Sequence, residues 1–306
     1  MWILLSVIYG VMIGFYNVLR QKASDRSPIL FVIALSCSVA FLAISWSVPE
    51  AIAVGGKGVA LFLLKSVIVF SLWVFELLAF KNYFMSSLQP ISAIRVVISF
   101  VLSLIVFNEP VIWWRFIGVA IIFCGLILLN EFDRRQLKKD LQASANFQEG
   151  QNQLMLQTES KKRRLKAIIF FIISCVLNEI SALLDKFYMD VYLPGQMQFW
   201  FLLFVSLFAW VGFLFLCLKQ KKWLICKKDW GNWFIYICGI ILVVADRLLF
   251  TALTYPDVLV SGVSIIKQLA TIVTVILGGL VYKEPNLKQK LLFLAIMLVG
   301  IVIVVI

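Results

Sequence analysis

The chain has 306 residues, 62% of them hydrophobic and only 14% charged, with a mean hydropathy of +1.00. That composition excludes a soluble globular domain of this length. A net charge of +12 would point to nucleic acid in a soluble protein. Here most Lys and Arg lie between apolar runs, so membrane orientation accounts for them and no nucleic-acid partner is implied.

Apolar runs of about 18 residues or more can cross a bilayer, and ten candidate spans follow one another at 2–19, 29–48, 59–80, 86–107, 111–129, 167–186, 197–218, 232–253, 258–281 and 288–306. Apolarity all round, with no 3.6-residue stripe, marks them as spans. The first begins at Trp2 with no basic segment or cleavage pattern, which predicts a retained span. Breaks fall at Pro28, Pro49, Pro110, Pro194-Gly195, Pro256 and Pro285. Trp113-Trp114, Trp200, Trp230 and Trp233 stand at span ends, the place of interfacial aromatics. The one long polar segment, 131–166, is rich in Gln and Asn and is read as a tether.

Phe107-Asn108-Glu109-Pro110 and Tyr282-Lys283-Glu284-Pro285 are two versions of one phrase, 175 residues apart, each ending one apolar run and opening another. The same offset carries Gly125 onto Gly300 and Ser92 onto Lys267. Two copies of one unit are therefore expected, 1–130 and 167–306, joined by the linker 131–166. Five spans per unit is odd, so the second copy enters the membrane upside down. The expected fold is an all-α integral membrane protein of ten transmembrane helices in two inverted five-helix repeats. In this scheme 21 of the 28 Lys and Arg fall on the side of the tether and only Lys57, Arg115 and Lys186 on the other. The positive-inside rule puts the linker in the cytoplasm and both termini on the periplasmic side.

Apart from Arg115, Lys186, Lys288 and Lys290, which stand near span ends and are counted with the loops, eight charged residues lie inside spans: Lys65, Glu76, Arg95, Glu179, Asp185, Asp246, Arg247 and Lys267. A charge at mid-membrane costs roughly 2.5–3.5 kcal/mol on insertion scales, so each should face a cavity or a partner. Lys65, near a span start, can snorkel and reads as structural. Arg95 and Lys267 lie on the fourth spans of their halves, with Ser92 on the face of Arg95. Either they clamp an anionic group of a substrate, or they are ion-paired with Glu179 or Asp246. Asn17 ends Gly14-Phe15-Tyr16-Asn17 as Asp185 ends Ala182-Leu183-Leu184-Asp185; the two either line a pathway or glue helices together. Asp246 and Arg247 are about 100° apart on a helix and cannot face one point. Asp246 is the first candidate for proton coupling, with Glu179, Asp185 and Glu76 as rivals. The Glu-Pro pairs have a local explanation, since Pro suits the first helical position and an acid complements the helix start.

The chain has no His, and its six Cys show no metal or CxxC spacing, so neither a metal site nor a cofactor is expected. No HExxH or GxSxG motif suggests an enzyme, and no P-loop suggests ATP hydrolysis. The five-plus-five pattern, the paired Glu-Pro phrases and Gly118, Gly125 and Gly300 in the fifth spans resemble the EamA-type transporters of the drug/metabolite transporter superfamily. Gly14-Phe15-Tyr16-Asn17, Leu184-Asp185-Lys186 and Ala245-Asp246-Arg247 resemble a bacterial subgroup that often has Asp at the place of Asn17. The resemblance implies a central cavity shared by both halves, alternating access, and metabolites or amino acids as cargo. Several relatives are drawn with cytoplasmic termini, against the charge count. The expected function is a secondary transporter of a small polar solute in the bacterial inner membrane, proton-coupled or exchanging. A flippase of a lipid-linked intermediate is the alternative. One chain suffices for the whole pathway, and a dimer is compatible with it.

Overall fold

The computed structural model describes residues 1–45, 53–83, 85–106, 113–145, 151–256, 258, 260–283 and 287–305. Among these residues the structure is helical, with no strand. The helices are α1 (Trp2–Arg26), α2 (Ile29–Ile44), α3 (Gly56–Asn82), α4 (Ile94–Val106), α5 (Trp113–Ala145), α6 (Gln151–Met189), α7 (Pro194–Gln220), α8 (Trp233–Leu253), α9 (Val260–Ile266), α10 (Leu269–Val281) and α11 (Leu287–Val305). Single turns precede α4 and α8 at Met85–Leu88 and Lys227–Trp230. Among the described residues six helices are long and apolar enough to cross a membrane, and Ile29–Ile44, Phe116–Gly125 and Gln289–Gly300 are shorter apolar ones. This is a multi-pass membrane protein. The Glu-Pro pairs at 109–110 and 284–285 lie outside the described residues.

Helix ends follow local chemistry. Pro194 opens α7, where its missing N–H is no loss, and Gln196 accepts a bond from the Leu193 N–H at 3.1 Å. That helix closes in a Schellman turn, with Lys222 N bonded to Cys217 O and Lys221 N to Leu218 O. Lys221 itself sits at φ 48°, a left-handed position that favours glycine. Lys221→Gly should therefore stabilise the protein by roughly 1 kcal/mol, read as a raised unfolding midpoint in detergent.

Packing is pairwise. α1 lies on α8 and α10, α6 on α3 and α4, α2 on α7 and α8, α3 on α7, α5 on α11, and α4 on α9. In lipid, tight contact and interhelical hydrogen bonds hold helices together. A Cβ on Gly14 would overlap Val273 on α10, and one on Gly300 would come within 2.7 Å of the Gly118 carbonyl on α5. Ser38 on α2 bonds Ser206 on α7 at 2.8 Å and accepts from the Trp210 indole at 3.0 Å.

Two spans expected to be continuous are broken. The run predicted over 86–107 begins as a turn and the 3-10 segment Gln89–Ala93 before α4 starts. Pro90, which hydropathy does not mark as a break, supplies the reason, since it has no N–H to donate. The run predicted over 258–281 breaks at Lys267-Gln268, where Ala270 N bonds Lys267 O and Thr271 N bonds Gln268 O over three residues. The two breaks coincide under the 175-residue offset. Irregular backbone at membrane depth is tolerated only where it is buried in protein or lines a cavity.

Candidate functional site

Both breaks open on the centre of the bundle, where two adjoining cavities lie. The larger, about 100 Å³, is bordered by Asn17, Glu76, Arg95, Glu179, Asp246 and Lys267, together with Tyr9, Tyr16 and Trp73. The smaller, about 80 Å³, is bordered by Lys65, Asn178, Ser181 and Asp185, with Phe201 and Phe250. Tyr9, Trp73, Asn178, Asp246 and Lys267 border both. Seven of the eight expected residues thus gather around one chamber. Ser92 borders neither cavity; its hydroxyl bonds Thr271 at 2.7 Å and Gln268 at 3.2 Å, fastening the two broken spans together.

The charges divide into committed and uncommitted groups. Glu76 accepts a hydrogen bond from Arg20 of α1, and Arg95 approaches its other oxygen at 3.8 Å. The carboxylate within 4 Å of Arg95 is therefore Glu76, where the ion-pair alternative had named Glu179 or Asp246. Lys65 bonds Asp185, with Ser181 Oγ at 3.4 Å and the Phe201 and Phe250 rings at 5.2 and 5.4 Å. Its snorkelling role does not hold. The ammonium is buried, because α6 and α7 cover it on the side where lipid was expected. Glu179 takes a long bond, 3.4 Å, from Ser264, and Asn17 donates to Thr274 at the same distance.

Lys267 and Asp246 remain. Lys267 lies over the Tyr9 ring at 5.6 Å. No described residue forms a hydrogen bond or ion pair with its ammonium or with the Asp246 carboxylate. Asp246 faces the chamber at 8% exposure while Arg247 is exposed on another face of α8, as their 100° separation requires. Counting Arg20, Lys65, Arg95 and Lys267 against Glu76, Glu179, Asp185 and Asp246, the chamber is electrically neutral.

The two buried ion pairs bracket this space. Lys65 and Glu76 both belong to α3 and, at 1.5 Å per residue, stand about 16 Å apart along it. Their partners come from α1 and α6. Beyond Arg20–Glu76 lies a cavity of about 580 Å³, bordered by Gln21, Asp25, Phe80, Lys81, Tyr83 and Tyr282 at the end of the bundle where α1, α3 and α10 stop. The Tyr282 hydroxyl donates to Asp25 there at 2.8 Å.

Arg20 and Lys65 are the residues that sequence reasoning missed as parts of the chamber. Hydropathy assigns Arg20 to the loop after the first span, but α1 runs six residues past it and leaves it 1% exposed. Lys290, counted in the loop after the ninth span, is likewise buried, on α11. Among the described residues, no group of three or more His, Cys, Asp or Glu stands close enough to hold a metal ion.

A family model described as the EamA-like transporter family matches residues 1–131 and 165–306. Among solved structures 23 chains match. One, a crystal structure of a protein 11% identical in sequence, superposes with a TM-score of 0.65 over 98% of this chain and 96% of its own. At that identity the likeness speaks for the fold. No curated protein matches.

Proposed function

The chain belongs to the EamA-like transporter family of the drug/metabolite transporter superfamily, and on that premise we propose that it is a secondary transporter of a small zwitterionic metabolite such as an amino acid. One observation carries this reading: Lys267 and Asp246, opposite charges that no described residue engages in a hydrogen bond or ion pair, border both halves of a neutral chamber. A cargo carboxylate meets Lys267 beside the start of α10, where the helix dipole adds to the attraction. The cargo ammonium meets Asp246. Arg95, already close to Glu76, contributes a weaker field at one wall. An anion without an amine would leave Asp246 uncompensated, so the two-cation clamp becomes the second choice.

Transport then proceeds by alternating access between two inverted five-helix repeats, 1–130 and 167–306. The packing supports this arrangement. Exchanging α1 with α6, α2 with α7, α3 with α8, α4 with α9 and α10, and α5 with α11 turns the set of main helix contacts into itself. The coincident breaks in the fourth spans support it too. Arg20–Glu76 and Lys65–Asp185 serve as the two gates, which open in turn. When the ammonium leaves, Asp246 takes a proton for the empty return, giving proton/cargo exchange. With Arg20 and Lys290 buried, 19 Lys and Arg instead of 21 remain on the tether side against three on the other. That asymmetry supports a cytoplasmic linker 131–166 and periplasmic termini in the bacterial inner membrane. One chain forms the whole pathway, so a monomer suffices. The flippase alternative is not favoured, because a chamber lined by seven charged residues suits a polar solute better than an acyl tail.

A thermal-shift screen tests the cargo class, using purified protein with zwitterions, their amine-free acids and their carboxyl-free amines. A ligand at 100 times its dissociation constant adds about 2.7 kcal/mol to apparent stability. Only solutes bearing both charges should stabilise wild type. Stabilisation by acids alone, kept in Asp246→Asn, would restore the two-cation clamp and overturn the zwitterion reading.

A further inference from the structure

Arg247 takes no part in the chamber. It is exposed, on a helix apolar enough to cross a membrane, and no described residue pairs with its guanidinium. It borders a groove of about 330 Å³ on the outside of the bundle, where α2, α7 and α8 meet, with Ile44, Val243, Val244 and Leu248 as apolar walls. Arg247 lies six residues before the end of α8 at Leu253, about 9 Å along the axis. An arginine at that depth reaches the level of the lipid phosphates.

A second observation comes from α7. Gln198 borders the same groove and is fully buried. Its Nε2 donates to the Val243 carbonyl at 2.7 Å, but its Oε1 is buried with no partner among the described residues. A carbonyl oxygen left unsatisfied in an apolar setting costs free energy that a donor entering from the groove would recover. The groove therefore presents one cation, one unused acceptor and apolar walls.

We propose that this groove is a binding site for one phospholipid with an ethanolamine headgroup, drawn from the leaflet at the Pro194/Leu253 end. The phosphate sits on Arg247, the headgroup ammonium donates to Gln198 Oε1, and an acyl chain follows Val243, Val244 and Leu248. Charge complementarity selects a phospholipid, and the orphan acceptor selects a headgroup that ends in a donor. Choline carries the same phosphate and a similar cationic nitrogen but no N–H. The lipid is a resident ligand and not cargo, because Arg247 points away from the face of α8 that bears Asp246. The site stands whether or not Lys267 and Asp246 bind a zwitterion.

Native mass spectrometry of the full chain in detergent tests the site, with phosphatidylethanolamine and phosphatidylcholine of identical acyl chains. Wild type should retain the ethanolamine lipid at least tenfold more tightly than the choline lipid. Arg247→Gln should weaken both at least tenfold. Gln198→Met should remove the preference and leave phosphate-dependent binding. If that variant does not fold, mono- and dimethylated ethanolamine lipids on wild type make the same test, with affinity falling as N–H groups are lost. Equal retention of all headgroups by wild type, or unchanged retention in Arg247→Gln, would mean ordinary annular lipid and overturn the proposal.

Discussion

Glu76→Gln is expected to lower the stability of the folded chain by about 3–5 kcal/mol, the range for removing one partner of a buried ion pair. Arg20 is 1% exposed, and its Nε and Nη1 have no hydrogen-bond partner among the described residues. Its charge is offset by the Glu76 carboxylate and by the faces of Tyr16 at 5.1 Å and Trp73 at 5.8 Å. Two desolvated cation–π contacts contribute about 2 kcal/mol or more each, but they are present in wild type and variant alike and so do not replace the lost counter-ion. Gln keeps the shape and one acceptor but not the charge, and it also strands Arg95. The measurement is unfolding of wild type and variant in the same detergent. Arg20→Met combined with Glu76→Met should recover most of the loss, because the fully buried guanidinium goes with its counter-ion and only the more exposed Arg95 is left without Glu76. A shift below about 1 kcal/mol in Glu76→Gln would show that water from the 580 Å³ cavity already solvates the pair, which would then be no gate.

Hydropathy makes the six long apolar helices of the described residues legible, and the 175-residue self-match lays the segment around Ser92 over that around Lys267 from the residues alone. Neither reveals that both spans are broken there. Average apolarity over a window is blind to Pro90, and the Lys267-Gln268 break has no proline at all; only its i to i−3 hydrogen bonds show it. Asp246 and Arg247 are separable in the sequence, because 100° per residue is a property of any α-helix. Arg20 and Lys65 are not. Sequence position relative to the end of an apolar run stands in poorly for burial when neighbouring helices cover the polar last turns. The 25 residues of α1 span about 37 Å, longer than the ~30 Å hydrocarbon core. What surrounds its final turns is supplied by Glu76 of α3, Asn232 and Phe234 at the start of α8, and Tyr282 after α10, and no local pattern in α1 encodes that.

Lys267→Met and Asp246→Asn are expected to impair transport severely, and the way each fails with trimmed cargo separates binding from structure. Truncating one partner of a desolvated charge pair costs about 2–5 kcal/mol, about 30-fold or more in the dissociation constant. Each variant should therefore lose the full zwitterion by at least that factor in equilibrium binding. An amine-free acid has no ammonium for Asp246 to hold, so Asp246→Asn should bind that acid at least as well as wild type does. It should bind better if the repulsion between Asp246 and the acid was appreciable. A carboxyl-free amine should be equally indifferent to Lys267→Met. Both residues border both cavities, so a merely structural role would weaken every ligand alike. Crossed selectivity follows only if each charge touches its own end of the cargo. Proton exchange adds a condition of its own. In proteoliposomes Asp246→Asn cannot carry a proton back, so whatever transport it retains should not respond to an imposed pH gradient, while wild type should accelerate.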